Sequence, residues 1–416
     1  MRCFAILIVF VGLASCSQAV QEDENLVESL MKSNRAFFQR YLDHRDDWEI
    51  QVIYTQINRD SANRPEFTSY YFNFDSLRYF YPASTVKLPQ VLLAFQKLNR
   101  LNLPGVDKYT TMLSDSVYPG QSTVRRDTTA QNGWPSVAQY AKKILVVSDN
   151  DAFNRLYEFV GQRETNGELR AKGYLARILH RLERPLSPDR NRHTEAIRFL
   201  DEQQRVLFQQ PMQINDSIVV STPALRGSGY LRGDSLIPEP FNFTYKNFYP
   251  LQEQQRLLRS ILFPETMPLQ QQFDLSPSDR GFLLQYLSQY PAETLYPPYF
   301  SDTTFYDAYC KFLMFGEDRA RIPAQLRIFN KVGDAYGYLI DNAYIVDLDK
   351  GVEFMLSAVI NTNTDGVFND GKYEYSTLGF PFMKELGRVV YDHEQKRHRP
   401  RKPDLTRFKL SYDRQR

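Results

Sequence analysis

The chain has 416 residues, 42% of them hydrophobic, which is enough for a large core; at about 150 residues per domain that length means two lobes or one large domain. Its 51 basic and 49 acidic side chains leave a formal charge of +2, so no global field draws nucleic acid or a membrane surface. Nucleic acid is therefore excluded as an expected partner, and any partner has to be read from local sites.

In chain order the first feature is Met1-Arg2 followed by an apolar run from Phe4 to Leu13, a charged n-region and an h-region too short to span a bilayer. It reads as an export signal. The next residues, Leu13-Ala14-Ser15-Cys16, resemble a bacterial lipobox, in which cleavage before Cys16 frees its thiol to carry a diacylglycerol. Residues 1–15 are thus expected to be a lipoprotein signal peptide. The mature chain is expected to be anchored in the cell envelope, facing the periplasm, on the outer rather than the inner membrane. With Cys3 removed and Cys16 lipidated, only Cys310 remains, and the fold has to rest on packing without an intramolecular disulfide.

From Glu24 to Asp43, Leu26, Leu30, Phe37, Phe38 and Leu42 recur at near-helical spacing and predict an amphipathic helix. Trp48 to Tyr54 and Phe67 to Phe74 are β-rich runs separated by the polar stretch Asn58 to Pro65, and they predict paired strands. A helix is predicted from Ser84 to Leu101, with Pro89 near enough to its start to be tolerated, and another through Val137, Tyr140, Ile144 and Leu145. Gln203 to Pro323 reads as mostly helical with an inserted loop region. Leu326 to Val332, Tyr338 to Val346 and Val352 to Ile360 predict an antiparallel meander, and a last helix covers Thr377 to Tyr391. Lys396 to Arg416 reads as a solvated basic extension. Strands at both ends of the chain with helices between them imply an α+β fold. One antiparallel sheet is built from the N- and C-terminal segments, 16–83 and 324–416, and flanked by helices, with an all-α lobe, 84–323, inserted.

Three short motifs follow one another: Ser84-Thr85-Val86-Lys87, Ser148-Asp149-Asn150 and Lys331-Val332-Gly333. A bare S-x-x-K arises by chance, as Ser29-Leu30-Met31-Lys32 on a helix surface shows. The Ser84 copy differs in context, because it opens a helix directly after the Tyr81-Pro82-Ala83 turn. A serine there meets backbone donors and the positive end of the helix dipole, and the residue three positions on lies one turn away on the same face. Lys87 can therefore reach the Ser84 hydroxyl, and a buried cleft that also holds Lys331 depresses its pKa toward that of a base. Ser148-Asp149-Asn150 lies at a joint between helices, where all three residue types are also favoured caps. Lys331-Val332-Gly333 closes a strand, where glycine lets a substrate backbone approach and Lys331 supplies a fixed charge.

Together, in this order and on these elements, the motifs resemble the class A β-lactamase superfamily and its penicillin-binding relatives. Lys87-Leu88-Pro89 and Leu145 to Asn154 add to the resemblance. It implies a sheet formed by both chain ends plus an all-α lobe, with Ser84 as the nucleophile. Lys87 would be its base and Ser148 a proton relay, while Asn150 would bind both Lys87 and a substrate amide. Lys331 would serve as a charge beside substrate-binding Gly333. An oxyanion hole would be formed from the backbone amides of Ser84 and Asp334. Two positions depart from the family. Val332 stands where a hydroxyl residue binds the carboxylate of a β-lactam, and in Arg181 to Leu186 the glutamate that activates the deacylating water aligns with Leu186. On that alignment Glu183 is structural, and Glu195 or Asp189 would need another loop path to replace the base. Asn215 to Tyr249 lengthens this region.

These residues leave three functions open. One is a β-lactamase-like hydrolase working through a Ser84 acyl-enzyme, and another a penicillin-binding or peptidase-like enzyme with slow deacylation on cell-wall peptides. The third is a non-catalytic lipoprotein that keeps the fold. All three imply a β-lactam or peptide amide ligand, an anchored monomer and no metal or cofactor, since the five histidines lack metal-ligand spacing.

Overall fold

The computed structural model describes residues 25–415, so the expected signal peptide and the lipidation site Cys16 lie outside the described residues. The predicted first helix is two, α1 (Leu26–Ser33) and α2 (Arg35–Asp43), divided at Asn34, whose backbone (φ −116°, ψ 56°) is not helical. Strands β1 (Gln51–Arg59) and β2 (Pro65–Phe72) follow. Both run deeper into the polar stretch than hydrophobicity suggested, because pairing such as Asn58 with Glu66 continues the ladder to the turn.

A 3₁₀ turn, Ala83–Val86, leads into α3 (Lys87–Leu101). This helix is buried on all sides from Lys87 to Leu98, so even its polar residues are bonded internally: Gln90 donates to the Leu156 carbonyl at 3.2 Å, and Lys97 pairs with Glu164 at 2.8 Å. After β3 (Thr111–Asp115) come α4 (Val137–Val147), α5 (Asn150–Val160) and α6 (Gln162–Ala171), which pack around α3, and then the short α7 (Pro188–Arg192).

The expectation of a mostly helical 203–323 is corrected. Its first part is extended: β5 (Val206–Gln210) forms a sheet with β3 and the preceding β4 (Ala196–Leu200), while β6 (Leu225–Arg226), β7 (Gly229–Arg232), β8 (Ser235–Ile237) and β9 (Phe241–Asn242) form small ladders. Gly233, at φ 60°, makes the β7–β8 turn. Only α8 (Leu251–Leu262) and α9 (Pro277–Ser288) are α-helices there.

The C-terminal meander is β10 (Leu326–Ala335), β11 (Tyr338–Asp347) and β12 (Val352–Asn361). With β1 and β2 it makes one antiparallel sheet in the order β10-β11-β12-β1-β2, so both ends of the chain build it. Strand β13 (Val367–Phe368) pairs with β7, and α10 (Phe380–Lys396) closes the outer face with α1. Alternation along β10 sends Ile328 to the core under α1 and α10, and Phe329 to the core shared with the α3–α9 helices. The basic C-terminal stretch is docked, not solvated. Phe408 is wholly buried with its ring 4.9 Å from that of Tyr344, and Arg397 pairs with Glu394 at 3.0 Å. Among the described residues no helix is long and apolar enough to cross a membrane.

Candidate active site

The site forms where the start of α3 meets the α4–α5 joint and the end of β10. Ala83 has φ 46°, in the left-handed region that residues with a Cβ rarely occupy, and this sharp turn delivers Ser84 to the helix start. Ser84 lines a cavity of about 360 Å³ with Tyr81, Asn150, Leu182, Glu183 and Asp334. A Cβ on Gly333 would sit 2.7 Å from the Pro82 carbonyl oxygen and 3.0 Å from the Ser84 nitrogen. Glycine is needed there to admit the turn that carries Ser84.

Lys87 is fully buried. Its Nζ donates to the Ser148 carbonyl oxygen, to Asn150 Oδ1 at 2.5 Å and to Ser148 Oγ at 3.2 Å. Burial, reinforced by the Lys331 cation, holds its pKa well below the ordinary lysine value against the opposing pull of Asp149. Lys331 donates to Ser148 Oγ at 2.7 Å and to the Val332 carbonyl at 3.0 Å, and burial pulls its pKa down to about 8. One hydroxyl thus joins the two lysines, and no carboxylate of the described residues hydrogen-bonds to either. A neutral Lys87 has two N–H groups, which the two carbonyl oxygens accept, so that its lone pair is left to face the Ser148 hydroxyl at 3.2 Å.

The Ser148-Asp149-Asn150 triplet divides its work. Ser148 ends α4 in the left-handed region, at φ 62°, and Asp149 caps α5 by accepting from Ala152 N at 2.7 Å. The cap reading therefore holds for Asp149, while Ser148 and Asn150 face the lysines.

The two departures look different in space. Val332 is buried in the core cluster under α1 and α10 and does not line the cavity, so its methyl groups serve packing. In the 179–195 loop, Asn154 Nδ2 donates to the Leu182 carbonyl at 3.0 Å, and Leu182 N donates back to Asn154 Oδ1 at 2.9 Å. This clasp sets Leu182 and Glu183 against Ser84, whereas Leu186 lines a neighbouring cavity. The alignment that placed Leu186 there is out of register, because a tertiary hydrogen-bond pair sets the loop's path. Glu183 is not the structural residue: it is exposed, left-handed at φ 52°, and accepts no hydrogen bond from the described residues. Glu195 is completely buried, ion-paired to Arg155 at 2.8 Å and bonded by Ser122 N, while exposed Asp189 pairs with Arg192 at 2.7 Å. Neither of them lines the Ser84 cavity. Across it from Glu183, Asp334 has its pKa raised by burial, opposed by Lys331 and Lys87 and reinforced by Glu183.

His180 carried little weight in the sequence, yet it lines the cavity and stacks on Tyr81, 6.2 Å between ring centres. Burial lowers its pKa to about 4; Nδ1–H donates to the Arg181 carbonyl at 2.7 Å and Nε2 accepts from Asn247 N at 3.3 Å, so it is neutral. Lys246 also lines the cavity, and nothing in the sequence around it marks it.

Residues 38–207 match the model of the family described as "Beta-lactamase enzyme family". The structure is similar to that of PBP-A, at 16% identity over 90% of this chain and 97% of that one, with a TM-score of 0.48. It is also similar to a β-lactamase from Xanthomonas campestris pv. campestris str. ATCC 33913, at 15% identity over 88% and 98% with a TM-score of 0.46. The TLA-1 extended spectrum β-lactamase is similar at 13% identity over 88% and 98%, also with a TM-score of 0.46. None of the curated proteins matches the chain.

Proposed function

We propose that the protein is a lipid-anchored envelope enzyme that forms an acyl-enzyme on Ser84 with β-lactams or related cell-wall peptide amides, and that deacylation is its slow step. The observation that carries this reading is the buried Lys87 amine, one turn from Ser84 and beside the Lys331 cation, with only uncharged hydrogen-bond partners. Lys87 takes the Ser84 proton as Oγ attacks the carbonyl carbon. The oxygen of that carbonyl gains charge between the backbone N–H groups of Ser84 and Asp334. As the C–N bond breaks, the proton passes from Lys87 through the Ser148 hydroxyl to the leaving nitrogen, and Lys331 balances the charge on the relay.

Water attack on the resulting ester needs a base. Glu183 is the loop carboxylate that lines the cavity, but it is exposed and bonded neither to Lys87 nor to Asn150, so nothing fixes a water against it. Intact-mass spectrometry of the protein with a penicillin, followed over time, tests both steps. We expect a stoichiometric adduct that forms on Ser84, is absent from Ser84→Ala and persists; failure to acylate overturns the reading, and rapid loss of the adduct overturns the slow step.

A further inference from the structure

The segment 203–249 builds one wall of a second cavity, of about 580 Å³, beside the cavity that Ser84 lines. His180, Arg184, Pro185 and Lys246 line both, so the two form one groove. The second part is lined by the apolar Leu179, Leu186, Ile218 and Val219 together with polar groups such as Asn191 and Ser217.

Its charges are not equivalent. Arg192 is paired with Asp189 at 2.7 Å, Arg184 donates to Ser122 Oγ at 2.9 Å and lies 3.7 Å from Asp151, and His180 is neutral. Lys246, at the junction, makes no side-chain hydrogen bond or ion pair with the described residues, and its ammonium lies 5.7 Å from the centre of the Tyr336 ring. On the Ser84 side, Asp334 and Glu183 repel an anion, and Val332 offers it no hydroxyl. Gln162 lines the second cavity at 4% exposure; its Nε2 donates to the Leu179 carbonyl at 2.7 Å, and its Oε1 has no hydrogen-bond partner.

We propose that the groove takes an elongated, peptide-like acyl group that carries a carboxylate well beyond the scissile carbonyl. The carbonyl is presented to Ser84, Lys246 pairs with that carboxylate at the junction, and the rest of the chain continues into the second cavity. This substrate class rests on the acyl-enzyme reading, so its test separates binding from chemistry.

The probes are the p-nitroanilides of succinyl-, glutaryl- and suberoyl-glycine, each with its uncharged butanoyl, pentanoyl or octanoyl counterpart. Calorimetric titration of Ser84→Ala, which removes the nucleophile, is expected to show at least one anionic probe bound about fivefold more tightly than its counterpart at low salt. The preference should shrink as salt is raised. Added to Ser84→Ala, Lys246→Glu and the packing-conserving Lys246→Met should both abolish it. Equal binding within every pair, or a preference that survives both Lys246 substitutions, overturns the proposal. Mass spectrometry of the wild-type chain with an uncharged probe reports separately on Ser84, whose failure to acylate overturns the enzyme reading and leaves the binding result standing.

Discussion

Helix α5 serves two clusters of buried charge built on opposite rules. At its first residue, Asn150, the cations Lys87 and Lys331 are buried among a hydroxyl, carbonyl oxygens and an amide, with no carboxylate bonded to them. Further along, Arg155 donates to Glu195 at 2.8 Å and to Asp151 at 2.9 Å, and Arg181 grips Glu158 with two N–H groups, the second at 2.7 Å. A buried cation given a carboxylate stays charged and fixes the loop; one denied a carboxylate is driven toward its neutral, proton-accepting form. Equal burial therefore marks structure in one place and chemistry in the other.

The comparison breaks most visibly at Lys87. Lys87→Met should slow acylation of Ser84 by about 10³-fold while leaving thermal stability near that of the wild type, because the lost group is a base and not a tether; stopped mass spectrometry with a penicillin reads the rate. In the paired cluster the effect should fall on stability instead. Glu158→Gln leaves Arg181 as an unpaired buried cation and should cost about 3–5 kcal/mol in urea unfolding.

The pH profile sharpens the same contrast. Lys87 must lose its proton and Lys331 must keep its own, so acylation should rise with pH through the depressed pKa of Lys87 and fall as pH passes about 8, where Lys331 discharges. Lys331→Arg, charged throughout, should lose the falling limb. Smaller still, Val332→Thr buries a hydroxyl in the core and should cost about 1–2 kcal/mol of stability, with penicillin acylation changed less than about twofold. The smallest effect is expected of Glu183→Gln, which should alter the adduct lifetime by less than about twofold, since uncoupled surface carboxylates contribute little. A large change would make Glu183 the missing base.

The sequence was most legible where local pattern and tertiary role agree. The β10–β12 meander follows its hydrophobic runs, and the helix read from Ser84 to Leu101 forms, buried on all sides from Lys87 to Leu98. It was least legible where pairing partners lie far away. Strands of a few residues such as β6, β8 and β9 are held by cross-strand bonds that no local periodicity announces. The register of the 179–195 loop depends on Asn154 clasping Leu182, 28 residues away, and motif spacing alone slid it to Leu186. Phe408, read within a charged tail, is core because Phe329 and Tyr344 wait for it across the sheet.

Gly333 carries a mechanical consequence. Because its backbone lies directly against Pro82 and Ser84, without an intervening side chain, the sheet edge and the nucleophile's turn are coupled as one rigid joint. The gap between the amides of residues 84 and 334 is then set by backbone contact rather than by packing. Any residue larger than glycine at 333 would press on the Pro82 carbonyl oxygen and the Ser84 nitrogen and wedge that joint open.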